Sequence, residues 1–335
     1  MKVLISSLLL MAISSTVLMQ TGKRTPAGLP AGYWPVEKSQ ALLDKTQTIR
    51  LAPDLSHLTA GERRAVALLL EVGKLFQTIY EDQRHGQALE AYHKLVALDQ
   101  RMGSPAATKN LLTLYRLAQG PIATTLENKR EPFLPVDGPA PGANFYPWGI
   151  KKEEIDAYLT AHPDQRDSLM DLRTVVRRAT AENLRRDLGK VRQYPVLDVL
   201  HPGLRTGWEQ RAAHPDAKAL YAVPYSIAWA DQLVQSFKLL NQAADAVNAD
   251  DEEFARYLRN RARDLLSDDY ESGDAAWVTG RFKHLNACIG SYETYDDAIY
   301  GVKTSFAFSL LAVRPEETTA LRAAMKGMQE LENSL

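Results

Sequence analysis

Most of the chain places its apolar residues at the three- and four-residue spacing of amphipathic helices. The strongest pattern runs over 62–80, and Thr59 and Glu62 before it have the spacing of a capping box. The same spacing predicts further helices over 87–98, 105–118, 151–159, 167–191 and 226–247, another that Asp250 caps, and a last one that opens at Arg314 and reaches at least Leu331.

One stretch, residues 268–313, departs from this helical pattern. From Leu285 the residues alternate in twos, which is the period of a strand. One face of such a strand would carry Leu285, Ala287, Ile289, Ser291, Glu293 and Tyr295. That face begins apolar and ends with a carboxylate beside a phenol. We therefore expect a strand that starts in the core and runs out into a cleft, where its last two side chains could hold a ligand.

These patterns predict an α+β fold that is predominantly α-helical, with a multi-helix body and a smaller β-containing part around residues 275–313. Five prolines and three glycines make 131–149 a linker or a large surface loop. This segment would separate a helical region over 36–130 from a helical region with a β-containing cleft wall over 150–335.

Two groups of side chains outside the predicted strand could contact a ligand. Aromatic residues in the proline-rich segment either anchor the loop or stack on a ligand, and anchoring is the commoner arrangement: Phe145, Tyr146 and Trp148. Arginines surround the helix predicted over 167–191, at positions 173, 177, 178, 185 and 186. They could form an anion-binding strip, but a solvated helix face with acidic neighbours explains them better, and we assign them no ligand.

Composition narrows the function classes. The 335 residues are 45% hydrophobic, which is enough for one large or two ordinary domains. The 40 basic and 41 acidic residues balance, which argues against nucleic acid as a partner. The single cysteine, Cys288, excludes an intramolecular disulfide framework and a cysteine-rich zinc module.

The N-terminus has the layout of a secretory signal peptide over residues 1–20. Lys2 precedes an uncharged, mostly apolar run from Val3 to Met19, and polar residues follow. A transmembrane anchor is the alternative, although the run is near the lower limit for a span of about 20 residues. We expect export to the periplasm or secretion, with no stable membrane anchor after removal of the signal.

The sequence lacks the short catalytic motifs that recur in many enzymes. The chain has no G-x-S-x-G elbow, no phosphate loop, no G-x-G-x-x-G loop and no C-x-x-C pair. None of its seven histidines is followed by glutamate, so an H-E-x-x-H zinc helix does not occur. The residues alone therefore indicate no metal site.

Three segments nevertheless resemble a known family: YAVPYSIAWADQLVQSFKLLNQAADAV, EEFARYLRNRARDLLSDDYESGDAAWV and IGSYETYDDAIYGVKTSF. They are similar to the region upstream of the zinc site in dipeptidyl-peptidase III-like zinc metallopeptidases. The bacterial branch related to the Nudix-fused plant proteins is the most similar. The resemblance extends from about Leu68 to the C-terminus, and its most specific run is Gly290 to Lys303. Ser291 stands where that run commonly has proline.

The resemblance implies a role for each of the two side chains on the predicted strand. Glu293 would be a substrate-binding residue that holds the free amino terminus of a peptide. Tyr295 would be a catalytic residue that donates a hydrogen bond to the scissile carbonyl. Zinc is the cofactor of the full-length family, but its ligands lie beyond the point that matches Leu335. We therefore expect an N-terminal portion of such an enzyme, with no zinc and no peptidase activity for this chain alone.

Two other functions remain open. The chain could be a non-catalytic exported helical protein that has kept the cleft wall and binds peptides or similar small molecules. It could also be a structural helical domain, in which Glu293 makes a salt bridge and Tyr295 packs at a sheet edge. No oligomeric state is predicted.

Overall fold

The computed structural model of the protein describes residues 28–334, so the predicted signal peptide lies outside the described residues. Within this range the fold is α+β and predominantly α-helical, as predicted. The helices are α1 (Val36–Leu43), α2 (Ala60–Arg84), α3 (Ala88–Met102), α4 (Ala106–Ala118), α5 (Lys152–Ala161), α6 (Arg166–Leu169), α7 (Ala181–Gln193), α8 (Pro195–Leu200), α9 (Leu204–Ala213), α10 (Tyr225–Ala228), α11 (Ala230–Val247), α12 (Glu252–Ser267), α13 (Glu271–Thr279), α14 (Pro315–Ala324) and α15 (Met328–Asn333).

Strands of the described residues pair as antiparallel two-stranded sheets. The three pairs are β1 (Ile122–Thr124) with β2 (Arg130–Pro132), β3 (Thr174–Ala179) with β4 (Asp216–Pro224), and β5 (Leu285–Glu293) with β6 (Ser305–Ala312). Only the last lies in the part of the chain where the sequence predicted β-structure. No helix within residues 28–334 is long and apolar enough to cross a membrane.

Helix α2 is the central element against which the last hairpin packs. The predicted capping box is present: the Glu62 backbone N–H donates to Thr59 Oγ1 at 3.1 Å, and the Thr59 N–H donates to Glu62 Oε2 at 2.9 Å. Glu62 also accepts a hydrogen bond from His284 Nδ1 at 2.8 Å, just before β5. The capped start of α2 is thereby tied to the start of the hairpin.

The main hydrophobic core contains residues from both sides of the proline-rich segment. It includes α2, β3, α7 to α12, β5 and β6, together with Phe145 and Tyr146. These two rings are 0% and 2% exposed, so the predicted anchoring of the loop is confirmed for them. A second cluster gathers α1, α3 and α4 around Trp34 and Phe133. The proposed division into regions stays a prediction.

The single helix predicted over 167–191 is wrong. Residues Thr174–Ala179 form strand β3, and the helix begins only at Ala181, where the Thr180 hydroxyl accepts the Asn183 N–H at 3.2 Å. The apolar positions of the segment fit a helical stripe, but its β-branched residues also suit a strand. Pairing with the distant β4, in which Val176 lies opposite Ala222, decided between the two.

Other boundaries shift by smaller amounts. Helix α12 is capped by Asp251 rather than Asp250, since the Asp251 carboxylate accepts the Phe254 N–H at 3.0 Å. The last predicted helix is divided into α14 and α15 at Gly327, whose φ of 96° is open mainly to glycine. Histidines before proline lie at helix ends, as expected of a residue held extended by the proline ring: His162, His201 and His214.

Candidate functional site

The β5–β6 hairpin positions the two predicted site residues. Along β5 the buried face carries Leu285, Ala287, Ile289 and Ser291, so the predicted alternation is confirmed to that point. Ser291 lies opposite Phe306 of β6, whose ring packs on Phe76 of α2 with centroids 5.2 Å apart. The strand therefore begins in the core and reaches its end beside α2.

Beyond Ser291 the predicted face is wrong. The register shifts between Ser291 and Glu293, which pairs with Ser305, so one extra residue, Tyr292, interrupts the alternation. Glu293 ends the strand, and Tyr295 lies in the turn that follows. A bulge cannot be read from apolar alternation, because it changes the phase of the strand within a single residue.

Asp297 organises this turn. It is 3% exposed and accepts hydrogen bonds from the backbone N–H groups of residues 299, 300, 302 and 303 at 3.0 to 3.1 Å. The Tyr146 hydroxyl donates to its Oδ2 at 3.0 Å. One buried carboxylate therefore fixes the backbone next to Tyr295 and joins it to the proline-rich segment.

Lys303 fastens the far end of the same turn. Its side chain is fully buried, and Nζ donates to Leu169 O, Asp171 O and Thr174 Oγ1 at 2.6, 2.7 and 2.8 Å. Three acceptors match the three N–H groups of an ammonium. The turn is thus held by a buried lysine, whose pKa burial lowers to about 7.

The structure brings Glu293 and Tyr295 together at the open end of the hairpin. Tyr295 is 86% exposed, and the hydrogen bond and charge of the Glu293 carboxylate raise the pKa of its phenol. The phenol is neutral at neutral pH, as an ordinary tyrosine is. The carboxylate offers acceptors to a ligand, and the phenol O–H, which is hydrogen-bonded to Glu293, can donate to a ligand by turning away from that carboxylate.

Asp296 is a further acidic residue at this end, which the sequence analysis missed. Its side chain is 19% exposed; Oδ2 accepts from the Ser305 hydroxyl at 3.0 Å, and Oδ1 is 3.5 Å from Arg84 Nε. Tyr80 lies next to it, and burial, followed by the charge of Asp296, raises the pKa of Tyr80. Because the partners come from α2 and β6, no local pattern could have identified Asp296.

A cleft of about 990 Å³ lies between α2 and β6 and ends at these residues. Apolar side chains form much of its lining, among them Leu70, Phe76, Phe306 and Phe308. Gly73 allows the two elements to approach closely, since a Cβ there would lie 2.9 Å from the Phe308 ring. Glu293, Tyr295 and Asp296 supply polar groups, as do other residues of the lining: Glu71, Lys74, Gln77 and Tyr80. An apolar cleft with a few polar groups is the usual form of a ligand site.

A smaller cavity of about 250 Å³ adjoins the cleft. Tyr295 and Asp296 line both, and Arg84, Arg130 and Pro141 border only the smaller one. Tyr295 therefore stands between a large, mainly apolar space and a small one that carries two arginines.

The described residues do not fit a zinc ion. Residues 28–334 contain no group of three or more histidine, cysteine, aspartate or glutamate side chains that could hold a metal. Cys288 is a free, exposed thiol.

Comparisons with known proteins agree with the resemblance found in the sequence. The fold is similar to two solved structures: dipeptidyl-peptidase III from Caldithrix abyssi (TM-score 0.70, covering 88% of this chain) and from Corallococcus sp. strain EGB (TM-score 0.71, covering 90%). Both are 24% identical to this chain, which spans 48% of each. The resemblance to dipeptidyl-peptidase III is thus confirmed at the level of the fold.

A plant relative supports the same connection. Nudix hydrolase 3 from Arabidopsis thaliana is 25% identical over 88% of this chain, and the chain covers 39% of that protein. This agrees with the predicted link to Nudix-related plant proteins. No family model matches the chain. The chain spans about half the length of the solved structures that it matches.

Proposed function

We propose that this chain supplies the peptide-binding wall of an exported hydrolase like dipeptidyl-peptidase III. The observation that carries the proposal is the pair of Glu293 and Tyr295 at the end of the apolar cleft. These are the two side chains to which the family resemblance assigns substrate contacts.

In this proposal Glu293 anchors the substrate. Its carboxylate pairs with the free ammonium of a peptide, which fixes the register of the chain along the cleft. The apolar lining of α2 and β6 then receives the side chains that follow the amino terminus. Such a contact selects peptides by a free N-terminus rather than by sequence.

Tyr295 acts on the peptide bond itself. A neutral phenol can donate a hydrogen bond to the carbonyl oxygen, and this bond strengthens as negative charge develops on that oxygen. Asp297 supports this contact by fixing the backbone of the turn next to Tyr295. Tyr295 therefore contributes to the transition state more than to ground-state affinity.

Because the described residues contain no donor set for the family's zinc, the role proposed for this chain alone is binding. The alternative is a non-catalytic exported protein that uses the same cleft wall without hydrolysis. Export is supported by the N-terminal sequence pattern, and both versions predict the same peptide contacts.

The test is calorimetric titration with a short peptide amide that has a free N-terminus and with its N-acetylated counterpart. Wild type should bind the free form more tightly, and Glu293→Gln should remove about a fivefold preference, the size expected for an exposed ion pair of about 1 kcal/mol. Tyr295→Phe should retain the preference, because the phenol acts on a carbonyl that both peptides possess.

Glu71→Gln is the matched control. Glu71 lines the same cleft but is paired with Lys74 at 2.6 Å, so its removal should leave the preference unchanged. Equal binding of the two peptides to wild type would refute the anchoring role. So would loss of the preference in Glu71→Gln while Glu293→Gln keeps it.

A further inference from the structure

A second cavity, of about 540 Å³, shares no lining residue with the cleft. It lies among the end of α2, the last part of the proline-rich segment, β3, α7 and residues 227–229. We call it the arginine pocket and define it by Asp82, Asn144, Trp148, Arg177, Asn183 and Arg186. It exists because residues 174–179 are a strand, which brings Arg177 to the start of α7.

The pocket carries a surplus of positive charge at one end. Arg177 Nη1 and Arg186 Nε, the latter at 3.3 Å, both bind Oδ1 of Asp187, which is 1% exposed. The Tyr221 hydroxyl donates to the other oxygen, Oδ2, at 2.5 Å. One carboxylate therefore serves two guanidinium groups, and one positive charge is left unbalanced.

Arg186 carries the positive charge that Asp187 does not balance. Its side chain is 51% exposed, and Nη2 donates to Asn183 Oδ1 at 3.1 Å. The other two cations of the lining are already balanced: Arg178 pairs with Glu154 at 2.7 Å, and Lys190 pairs with Asp231 at 2.6 Å. A guanidinium with free N–H groups and an open side is suited to a carboxylate.

An unpaired carboxylate lies at another point of the same lining. Asp82 Oδ2 accepts hydrogen bonds from Trp229 Nε1 at 2.8 Å and from Asn144 Nδ2 at 3.5 Å. Within residues 28–334 no ion pair within 4 Å joins it to a cation. Burial raises its pKa, and the charges of Arg177 and Arg186 oppose that rise.

An aromatic wall completes the pocket. Trp148 is 38% exposed, and its ring packs against His85 with centroids 4.5 Å apart. His85 Nδ1 accepts the Gln87 N–H at 3.2 Å, so Nε2 carries the proton and donates it to Asp137 O at 3.1 Å. A fixed, neutral imidazole therefore supports the indole and leaves the ring able to cover an apolar side chain.

We propose that the arginine pocket binds a small zwitterion, the chemical class of free amino acids and short unblocked peptides. The ligand carboxylate would bind Arg186, its ammonium would bind Asp82, and its side chain would lie against Trp148. The volume lies within the range of small-molecule sites, which is about 300–1,000 Å³. A ligand that carries both charges can satisfy Arg186 and Asp82 at the same time.

Calorimetric titration with leucine tests the proposal. Leucinamide, which has only the ammonium, and N-acetyl-leucine, which has only the carboxylate, should each bind about tenfold more weakly or worse, corresponding to about 1.4 kcal/mol. Leucyl-leucine in a separate titration distinguishes a preference for free amino acids from one for short peptides.

Variants assign the contacts. Arg186→Gln should weaken leucine binding by about tenfold, whereas Arg185→Gln, its exposed neighbour outside the lining, should not. Asp82→Asn keeps an acceptor for Trp229, and it should weaken leucine binding but not N-acetyl-leucine binding. The difference between Arg186→Gln and Arg185→Gln should persist in a Glu293→Gln background, in which ammonium binding at the cleft is removed; this separates the pocket from the cleft.

Three results would overturn the proposal. They are no heat of binding at millimolar leucine, N-acetyl-leucine binding as tightly as leucine, and equal affinities for Arg185→Gln and Arg186→Gln. Circular dichroism checks that each variant is folded. If Asp82→Asn fails to fold, the comparison of Arg186→Gln with Arg185→Gln still tests the proposal, because Arg186 is half-exposed.

Discussion

The cleft and the arginine pocket both depend on a carboxylate, yet they hold it in different ways. In the cleft Glu293 is exposed at the end of a strand, next to a tyrosine that is 86% exposed. In the pocket Asp187 is 1% exposed and binds two arginines and a tyrosine. An exposed carboxylate can contact a ligand without stabilising the fold, whereas the buried Asp187, which pairs with two arginines, stabilises the fold and positions both guanidinium groups.

The largest expected effect is the loss of that buried carboxylate. Asp187→Ala leaves Arg177 without its anion, and we expect the free energy of unfolding to fall by about 3–5 kcal/mol. Glu293→Ala should change it by no more than about 0.5 kcal/mol, because the side chain is exposed. Urea denaturation measures the free energy of unfolding of both variants. Similar losses of stability in the two would contradict the difference between the buried and the exposed carboxylate.

A smaller effect is expected at Asp268, which lies at the end of α12 and connects it to α10. The Ser226 N–H of α10 donates to both of its oxygens at 3.1 and 3.2 Å. Burial raises the pKa of Asp268 to about 7, whereas that of an unfolded aspartate is about 3.9. The folded protein therefore holds this proton more tightly than the unfolded chain does.

The sign of the pH dependence follows from that difference. The stability that Asp268 contributes is fully present below about pH 3.9 and is lost as the pH rises through about 7. Asp268→Asn should remove up to about 4 kcal/mol of this dependence between about pH 4 and pH 8, measured as the difference from wild type in urea unfolding. Identical pH profiles for the two proteins would show that the carboxyl is not protonated in the fold.

The smallest effect tests the pair in the cleft directly. Glu293→Gln should lower the pKa of Tyr295 toward the ordinary value of about 10, because the negative charge next to the phenol is removed. Titration of ring-labelled tyrosine by NMR, assigned with Tyr295→Phe, measures it. Glu71→Gln should leave the pKa unchanged, and an unshifted Tyr295 in Glu293→Gln would mean that the two side chains do not interact.

Much of the helical body could be predicted from local patterns. The α2 stripe and its capping box at Thr59 and Glu62 involve residues within a few turns of each other, so the sequence carries the whole signal. The buried face of β5 was predictable for the same reason, up to Ser291. Glu293 and Tyr295 were identified through a specific motif, and the structure places them together at the cleft.

The errors arose where distant segments decide the local structure. Thr174–Ala179 has apolar positions compatible with a helix, and only pairing with β4 makes it a strand. The arginines at 177 and 186 were expected on one solvated helix face, but they meet at a buried aspartate. Neither the strand nor the shared contact with the aspartate can be recognised from the spacing of residues within the segment.

The sequence by itself determined the predominantly helical class and the anchoring of Phe145 and Tyr146, whereas the roles of Glu293 and Tyr295 stay predictions. Only the tertiary structure decided the bulge at Tyr292, the place of Asp296 in the cleft and the existence of the arginine pocket. The physical reason is range: periodicity and capping act over a few residues, whereas a cleft or an ion pair forms between segments that the fold brings together.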